Sequence, residues 1–283
     1  MNRWHDWIGR GEQREDRVDE ALVSRWCATL DLPVESNDAA PQSIHWCLCA
    51  SNALTRMLGV DGHPRIADNP DSYFPPVPLP RRMWASSKIQ FLRPLRRGQN
   101  VVRLTKLTAI TEKQGASGSL ILVDVSHEIL GPEGLAVHEI QTIVYREAAQ
   151  EGARPAPPPP GQSTFDPSPW DAHRVLTPSE TLLFRYSALT FNSHRIHFDL
   201  PYATRIEGYR GLVVHGPLIA TLLLELAQRK FGDNALRHFA FRGVSPAICG
   251  EDLHLVLREN GAAIELGAFA GDGRQVMNAS AGV

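Results

Sequence analysis

The chain has 283 residues, 43% of them apolar and 21% charged, with a formal net charge of −2. That is long enough for one large domain or two ordinary ones, and apolar enough for a packed soluble core. The near-neutral balance argues against nucleic acid or an anionic membrane surface as the main partner, and no run approaches the roughly 18 apolar residues of a membrane helix.

The opening stretch MNRWHDWIGR is charged and aromatic, unlike a targeting peptide. The four cysteines are Cys27, Cys47, Cys49 and Cys249, and Cys47-Leu48-Cys49 lacks the C-x-x-C spacing of redox or zinc sites. Few thiols and no secretory segment predict a cytoplasmic protein whose cysteines serve as packing. Val18, Leu22, Trp26 and Leu30 share one helical face, which predicts an amphipathic helix within residues 15–32. PQSIHWCLCASNALTRMLG reads as a second helix or a helical turn region, with Gly59 past its end. A Pro-rich loop follows over 62–80. Four strands at antiparallel meander spacing are then predicted, in RMWASSKIQFLRPL, NVVRLTKLTAITEKQG, SGSLILVDVSHEIL and LAVHEIQTIVYRE.

Residues 151–170, EGARPAPPPPGQSTFDPSPW, are too rich in proline for helix or central strand and read as a semi-rigid linker. The expected organisation is therefore a unit over 1–150 and a second over 171–283. In the second unit SETLLFRYSAL reads as a strand and HGPLIATLLLELAQRKFG as a strongly apolar helix. LRHFAFRGVSPA, EDLHLVLREN and AAIELGAFAGD read as strands, the last two joined by a tight turn at Asn260-Gly261. Both units combine a helix with antiparallel strands, so the fold class is α+β. A curved sheet wrapped on the apolar helix would bury LIATLLLELA completely.

Between the two predicted elements lies NSHRIHFDLPYATRIEGYRGLVVHGP, which places Asn192, His194, His197 and Asp199 on one loop. Histidine exchanges protons near neutral pH, and asparagine holds a water or a carbonyl by hydrogen bonds. Pro217 suits the first turn of a helix, and Gly216 before it permits close backbone approach. The free N–H groups there would stabilise an oxyanion. Three readings of the residues stand side by side: an acid–base site, a structural loop with His215 as a turn cap, and a metal site. The last lacks an evident third ligand beside H-x-x-H.

The order NSHRIHFD, YA, EGYRGLVVHG resembles the hydratase-2 signature of the MaoC-like, (R)-specific enoyl-CoA hydratase and dehydratase family, in its FAS1-like dehydratase branch. FPPVPLPRRMWA in the first half is similar as well. The resemblance implies a double hotdog, two curved antiparallel sheets each wrapping a central helix. The first hotdog would support coenzyme A and the second would be catalytic. It implies reversible water addition to a 2-enoyl-CoA, with C5 dicarboxyl thioesters such as mesaconyl-C4-CoA or itaconyl-CoA foremost. The alternatives are a fatty-acid-type 3-hydroxyacyl dehydratase and a non-catalytic acyl-CoA-binding subunit. His197 takes the place of the family's catalytic histidine and Gly216 that of the oxyanion-hole glycine. Asn192 stands where the family has its catalytic aspartate, His194 where it has asparagine, and Arg195 where it has proline. Asp199 fits a residue that orients the following turn. Substrate contacts are expected from His194, Arg195, His215, Arg82 and Trp84, with Arg81 and Phe74 as further candidates. No metal or separate cofactor is implied, coenzyme A being part of the substrate, and a homodimer is expected.

Overall fold

The computed structural model describes residues 4–33, 38–66, 72–115, 118–148, 156–261 and 263–283. The start of the 151–170 linker and part of the 62–80 loop lie outside them.

Two ten-residue helices open the halves in the same way. Asp19 accepts the Leu22 N–H at 2.6 Å and starts α1, Glu20–Thr29. Ser179 accepts the Leu182 N–H at 3.2 Å and starts α2, Glu180–Leu189. In each case the cap side chain satisfies an N–H that the helix itself cannot. The expected strand over SETLLFRYSAL is thus a helix. Its contiguous TLLF run imitates a buried strand, but the cap and the spacing of buried Leu183, Tyr186 and Ser187 follow a helical face. The two helices pack on each other, with Trp26 and Tyr186 rings 6.0 Å apart. PQSIHWCLCASNALTRMLG forms two separate 3-10 turns, Ile44–Cys47 and Thr55–Met57.

The strands are β1 Gly11–Arg17, β2 Arg81–Phe91, β3 Asn100–Gly115, β4 Gly118–Gly131, β5 Gly134–Arg146, β6 Ala172–Leu176, β7 His238–Gly243, β8 Leu253–Asn260, β9 Ala263–Ala270 and β10 Gln275–Gly282. They form one ten-stranded sheet in the order β1-β3-β4-β5-β2-β7-β10-β9-β8-β6. Only β3, β4 and β5 keep the expected meander, since β2 lies beside β5 and not beside β3. β1, β6 and β10 were not expected. β1 is charged along its length and pairs through its backbone at the sheet edge, and β10 is built largely of small and polar residues. The halves meet where β2 and β7 pair antiparallel, from Ser86↔Arg242 to Gln90↔His238.

The long helix α3, Gly216–Phe231, belongs to the second half, and Leu218 through Ala227 are all buried. Burying one such leucine is worth about 1.5–3 kcal/mol. Glu225 within that stretch is held by Arg174 and by Arg229, whose Nε lies 2.9 Å away. The first half has no helix of this length among the described residues. The α+β class holds, with the two sheets continuous with each other.

Candidate active site

The loop between α2 and α3 is fixed at both ends by its own backbone. The Asn192 N–H donates to Ser187 O at 2.9 Å, and Asn192 Oδ1 accepts the His194 N–H at 3.0 Å. A 3-10 turn over Arg195–His197 follows. Asp199 accepts the Tyr202 N–H at 3.0 Å and two guanidinium N–H groups of Arg195, at 2.9 and 2.7 Å. Asp199 therefore orients the next turn, as its place in the motif implies.

His197 is buried against Val213. Its Nδ1–H donates to Val213 O at 2.7 Å, while the Val213 N–H donates to Ile196 O at 3.0 Å. A carbonyl only accepts, so the proton sits on Nδ1 and the lone pair on Nε2. Among the described residues Nε2 has no hydrogen-bond partner. Burial pushes the His197 pKa down to about 4, so the ring is neutral at physiological pH. His215 stacks on it from behind, centroids 3.5 Å apart and planes 18° apart. His215 Nε2 lies 2.8 Å from Ser187 Oγ, and its Nδ1 is buried without a partner. Gly216 starts α3 directly after His215, and a Cβ added there would meet no atom within 4 Å. The helix end thus faces open space beside the two rings.

The first half reaches into this loop. Gly62 has φ +88, and a Cβ on it would fall 1.9 Å from Ser193 O, so only glycine lets the two backbones touch. Ser193 Oγ donates to Gly62 O at 2.6 Å, the Arg195 N–H to Asp61 O at 2.9 Å, and Arg195 Nη1 to Val60 O at 2.8 Å. This seam carries His63 to His194, ring centroids 4.1 Å apart, and His194 stands 5.6 Å from His197. Four imidazoles, His63, His194, His197 and His215, therefore run in a row across the two halves. Burial and neighbouring histidines push His194 down to about 2. Asp61, hydrogen-bonded to His63, is held down at about 2 despite its own burial.

Comparison with known proteins fits this geometry. The family described as hydroxyacyl-thioester dehydratase type 2 matches residues 43–249. The chain is 42% identical over 282 residues to a mesaconyl-C(4)-CoA hydratase of Chloroflexus aurantiacus, covering 98% of this chain and 96% of the relative. The chain belongs to the hydroxyacyl-thioester dehydratase type 2 family. It is thus a hydro-lyase of the MaoC-like hydratases and dehydratases. The fold is shared with a MaoC-like dehydratase from Phytophthora capsici, at TM-score 0.69 and 16% identity over 98% and 97% of the two chains. It is shared too with a Mycobacterium tuberculosis protein described as a double hotdog, at TM-score 0.59 and 13% identity over 98% and 96%.

Within this dehydratase fold, His194, His197, His215, Asn192 and Gly216 come together as the motif implies. His215 is only 1% exposed and backs His197, so it is a support and not a surface for substrate. Arg195, expected to contact substrate, is engaged within the protein by Asp199, by Val60 O and by the Tyr202 ring 4.2 Å beneath its guanidinium. Trp84 donates to Ser87 Oγ at 2.9 Å and packs edge-on against Trp46 at 5.6 Å. Arg81 ties the halves together through Glu207, with Nε at 2.5 Å from Oε2 and Nη2 at 2.6 Å from Glu207 O. Arg82 reaches the row: its charge acts on Asp61, His63 and His194, and its guanidinium lies 6.0 Å from the Phe74 ring.

Asp61, His63 and Ser187 were not found from the sequence. The signal for the first pair is DGHP, where a glycine between an acid and a histidine allows a sharp approach. Asp61, His63 and His194 bring three donor atoms within 4.8 Å of one another. A cation there would have to displace the hydrogen bond between Asp61 and His63 and sit beside the Arg82 charge.

Proposed function

We propose that the protein hydrates the double bond of a short dicarboxyl enoyl-CoA, with mesaconyl-C4-CoA or itaconyl-CoA as substrate and a citramalyl-CoA as product. The near-full-length similarity to a mesaconyl-C(4)-CoA hydratase supports the substrate class. The observation that carries the chemistry is His197, whose tautomer is fixed by Val213 O and whose Nε2 lone pair is left unpartnered.

In this reading the water donates a hydrogen bond to His197 Nε2 and its oxygen attacks Cβ, while one of its protons is taken up by the site and returned to Cα. The π electrons of the double bond shift towards the thioester, whose oxygen gains negative charge opposite the Gly216 N–H and the start of α3. Proton handling of this kind is worth about 10²–10⁴-fold and an oxyanion donor about 10²–10³-fold. Asn192 holds the loop through the His194 N–H, and its amide cannot take a proton. Arg82, beside the row, replaces Arg195 as the cation for the distal carboxylate. Residues 1–150 support coenzyme A and contribute Arg82, and 171–283 contribute His197 and the Gly216 N–H. The protein works in the cytoplasm as a homodimer, with no cofactor beyond the coenzyme A of its substrate.

The test follows the ultraviolet absorbance of the enoyl thioester with mesaconyl-C4-CoA, itaconyl-CoA and crotonyl-CoA. Loss of absorbance with a dicarboxyl substrate in wild type, abolished in His197→Ala and weakened in Arg82→Ala, is the expected result. Faster turnover of crotonyl-CoA than of either dicarboxyl substrate would overturn the substrate assignment. No turnover of any would overturn the reaction.

A further inference from the structure

The motif loop lacks one thing its family chemistry uses, a carboxylate. Asn192 stands in that place and its Oδ1 is engaged by the His194 N–H. A carboxylate does reach the row, but from the other half of the chain. Asp61 Oδ1 accepts the His63 backbone N–H at 3.0 Å, and Asp61 Oδ2 lies 2.9 Å from His63 Nδ1. The acid is ionised, so Nδ1 must carry the proton and Nε2 the lone pair. The result is an imidazole with an anion fixed behind it, the arrangement that makes histidine a better base by stabilising the imidazolium that forms.

We propose that Asp61 and His63 replace the missing loop aspartate and serve as the acid–base dyad of the site. Resting on the hydration reading above, this gives His63 the proton of the attacking water. As the water oxygen bonds to Cβ, one O–H bond breaks and its proton goes to His63 Nε2. The Cα=Cβ electron pair moves into the thioester enolate. The proton on His63 then returns to Cα as the enolate collapses. Water has added across the double bond, and His63 ends as it began.

Three observations support this choice over His194. Among the four imidazoles only His63 has a carboxylate partner. His194 is flanked by two other rings and is pushed down to about 2. The Gly62–Ser193 contact fixes the dyad against the loop with a geometry that any side chain at 62 would destroy. The charged and titratable groups facing His63 among the described residues are Asp61 before it, His194 and His197 across the seam, Arg82 on β2 and Glu207 after the Tyr202–Ile206 turn. Burial and Arg82 lower the His63 pKa while Asp61 and Glu207 raise it, and the net shift is downward, leaving the ring neutral and able to accept.

The experiment compares Asp61→Asn, Asp61→Glu, His63→Gln and the double variant Asp61→Asn/His63→Gln with wild type. Asp61→Asn keeps an acceptor for Nδ1–H and removes only the charge. We expect kcat to fall about 100-fold in Asp61→Asn and His63→Gln, with KM within about threefold. The double variant should be no slower than His63→Gln alone, because Asp61 acts through His63. Asp61→Glu should recover part of the rate, and the acid limb of the kcat profile should move in Asp61→Asn. Unchanged kcat, or losses that multiply in the double variant, would overturn the dyad. So would activity lost to a chelator and restored by zinc. Nitrogen NMR of the imidazoles in the full chain gives a readout without turnover. His63 as the Nδ1–H tautomer, altered in Asp61→Asn, supports the dyad, and the opposite tautomer sinks it. Wild-type failure to hydrate any enoyl-CoA would instead refute the reaction, leaving the tautomer to judge the dyad by itself.

Discussion

Each half buries a histidine network, and the two differ in what they leave unsatisfied. In the first half Glu139, 3% exposed, receives Ser87 Oγ at 2.5 Å, Trp46 Nε1 at 3.1 Å and His45 Nε2 at 3.3 Å. Burial alone would raise its pKa, yet these donors hold it below the ordinary value. Those donors surround the carboxylate, and the network holds β2, β5 and the Ile44–Cys47 turn together. In the second half His197 and His215 are as deeply buried, but neither pairs with a carboxylate, and His197 Nε2 and His215 Nδ1 have no hydrogen-bond partner among the described residues. The difference lies in the anion: the first network gathers on a carboxylate, and the second leaves ring nitrogens to spare.

The comparison breaks most sharply by mutation at its two centres. His197→Ala should lower kcat by about 10²–10⁴-fold with the fold intact by circular dichroism. Next in size is the core under the reactive network. Leu223, fully buried on α3, should cost about 2–5 kcal/mol as Leu223→Ala in urea unfolding. Glu139→Gln should cost about 1–3 kcal/mol, because it removes the charge its donors surround, and leave kcat within twofold. A large loss of kcat there would erase the distinction between the networks. The remaining effect is in pH. His127 and His197 both sit at about 4 in the fold against an ordinary 6.5. The unfolded chain therefore binds more protons between those values, and stability present at pH 7 is lost as pH falls from about 6.5 towards 4. Melting temperature should drop across that window, and His127→Gln should flatten the slope if its packing survives.

Much of this was legible beforehand. The apolar run Leu218 to Ala227 and the Pro217 start define α3, and the spacing of the histidine motif shows that His197 lies on the loop leading to it. α2 was misread because three apolar or aromatic residues in sequence, Leu182 to Phe184, look like a buried strand until Ser179 is recognised as a cap. β1 and β10 were missed because their pairing comes from backbone hydrogen bonds to neighbours far along the chain, with little side-chain periodicity. The partners of Arg195 were not legible for a related reason: Val60 and Tyr202 are set by tertiary contact, which spacing does not encode. Asp61 and His63 were invisible because a Pro-rich connection reads as a spacer, and the positive φ of Gly62 acquires meaning only against Ser193.

The Gly62–Ser193 seam has a thermodynamic consequence. A ligand that touches both His63 and His197 spans the junction, so its binding free energy adds to whatever keeps the halves docked. Occupancy and cohesion are linked quantities. An unreactive thioester analogue should raise the melting temperature in proportion to its affinity, and loosening the junction at a distance, as with Arg81→Ala at the Glu207 contact, should weaken binding without altering a single group that touches the ligand.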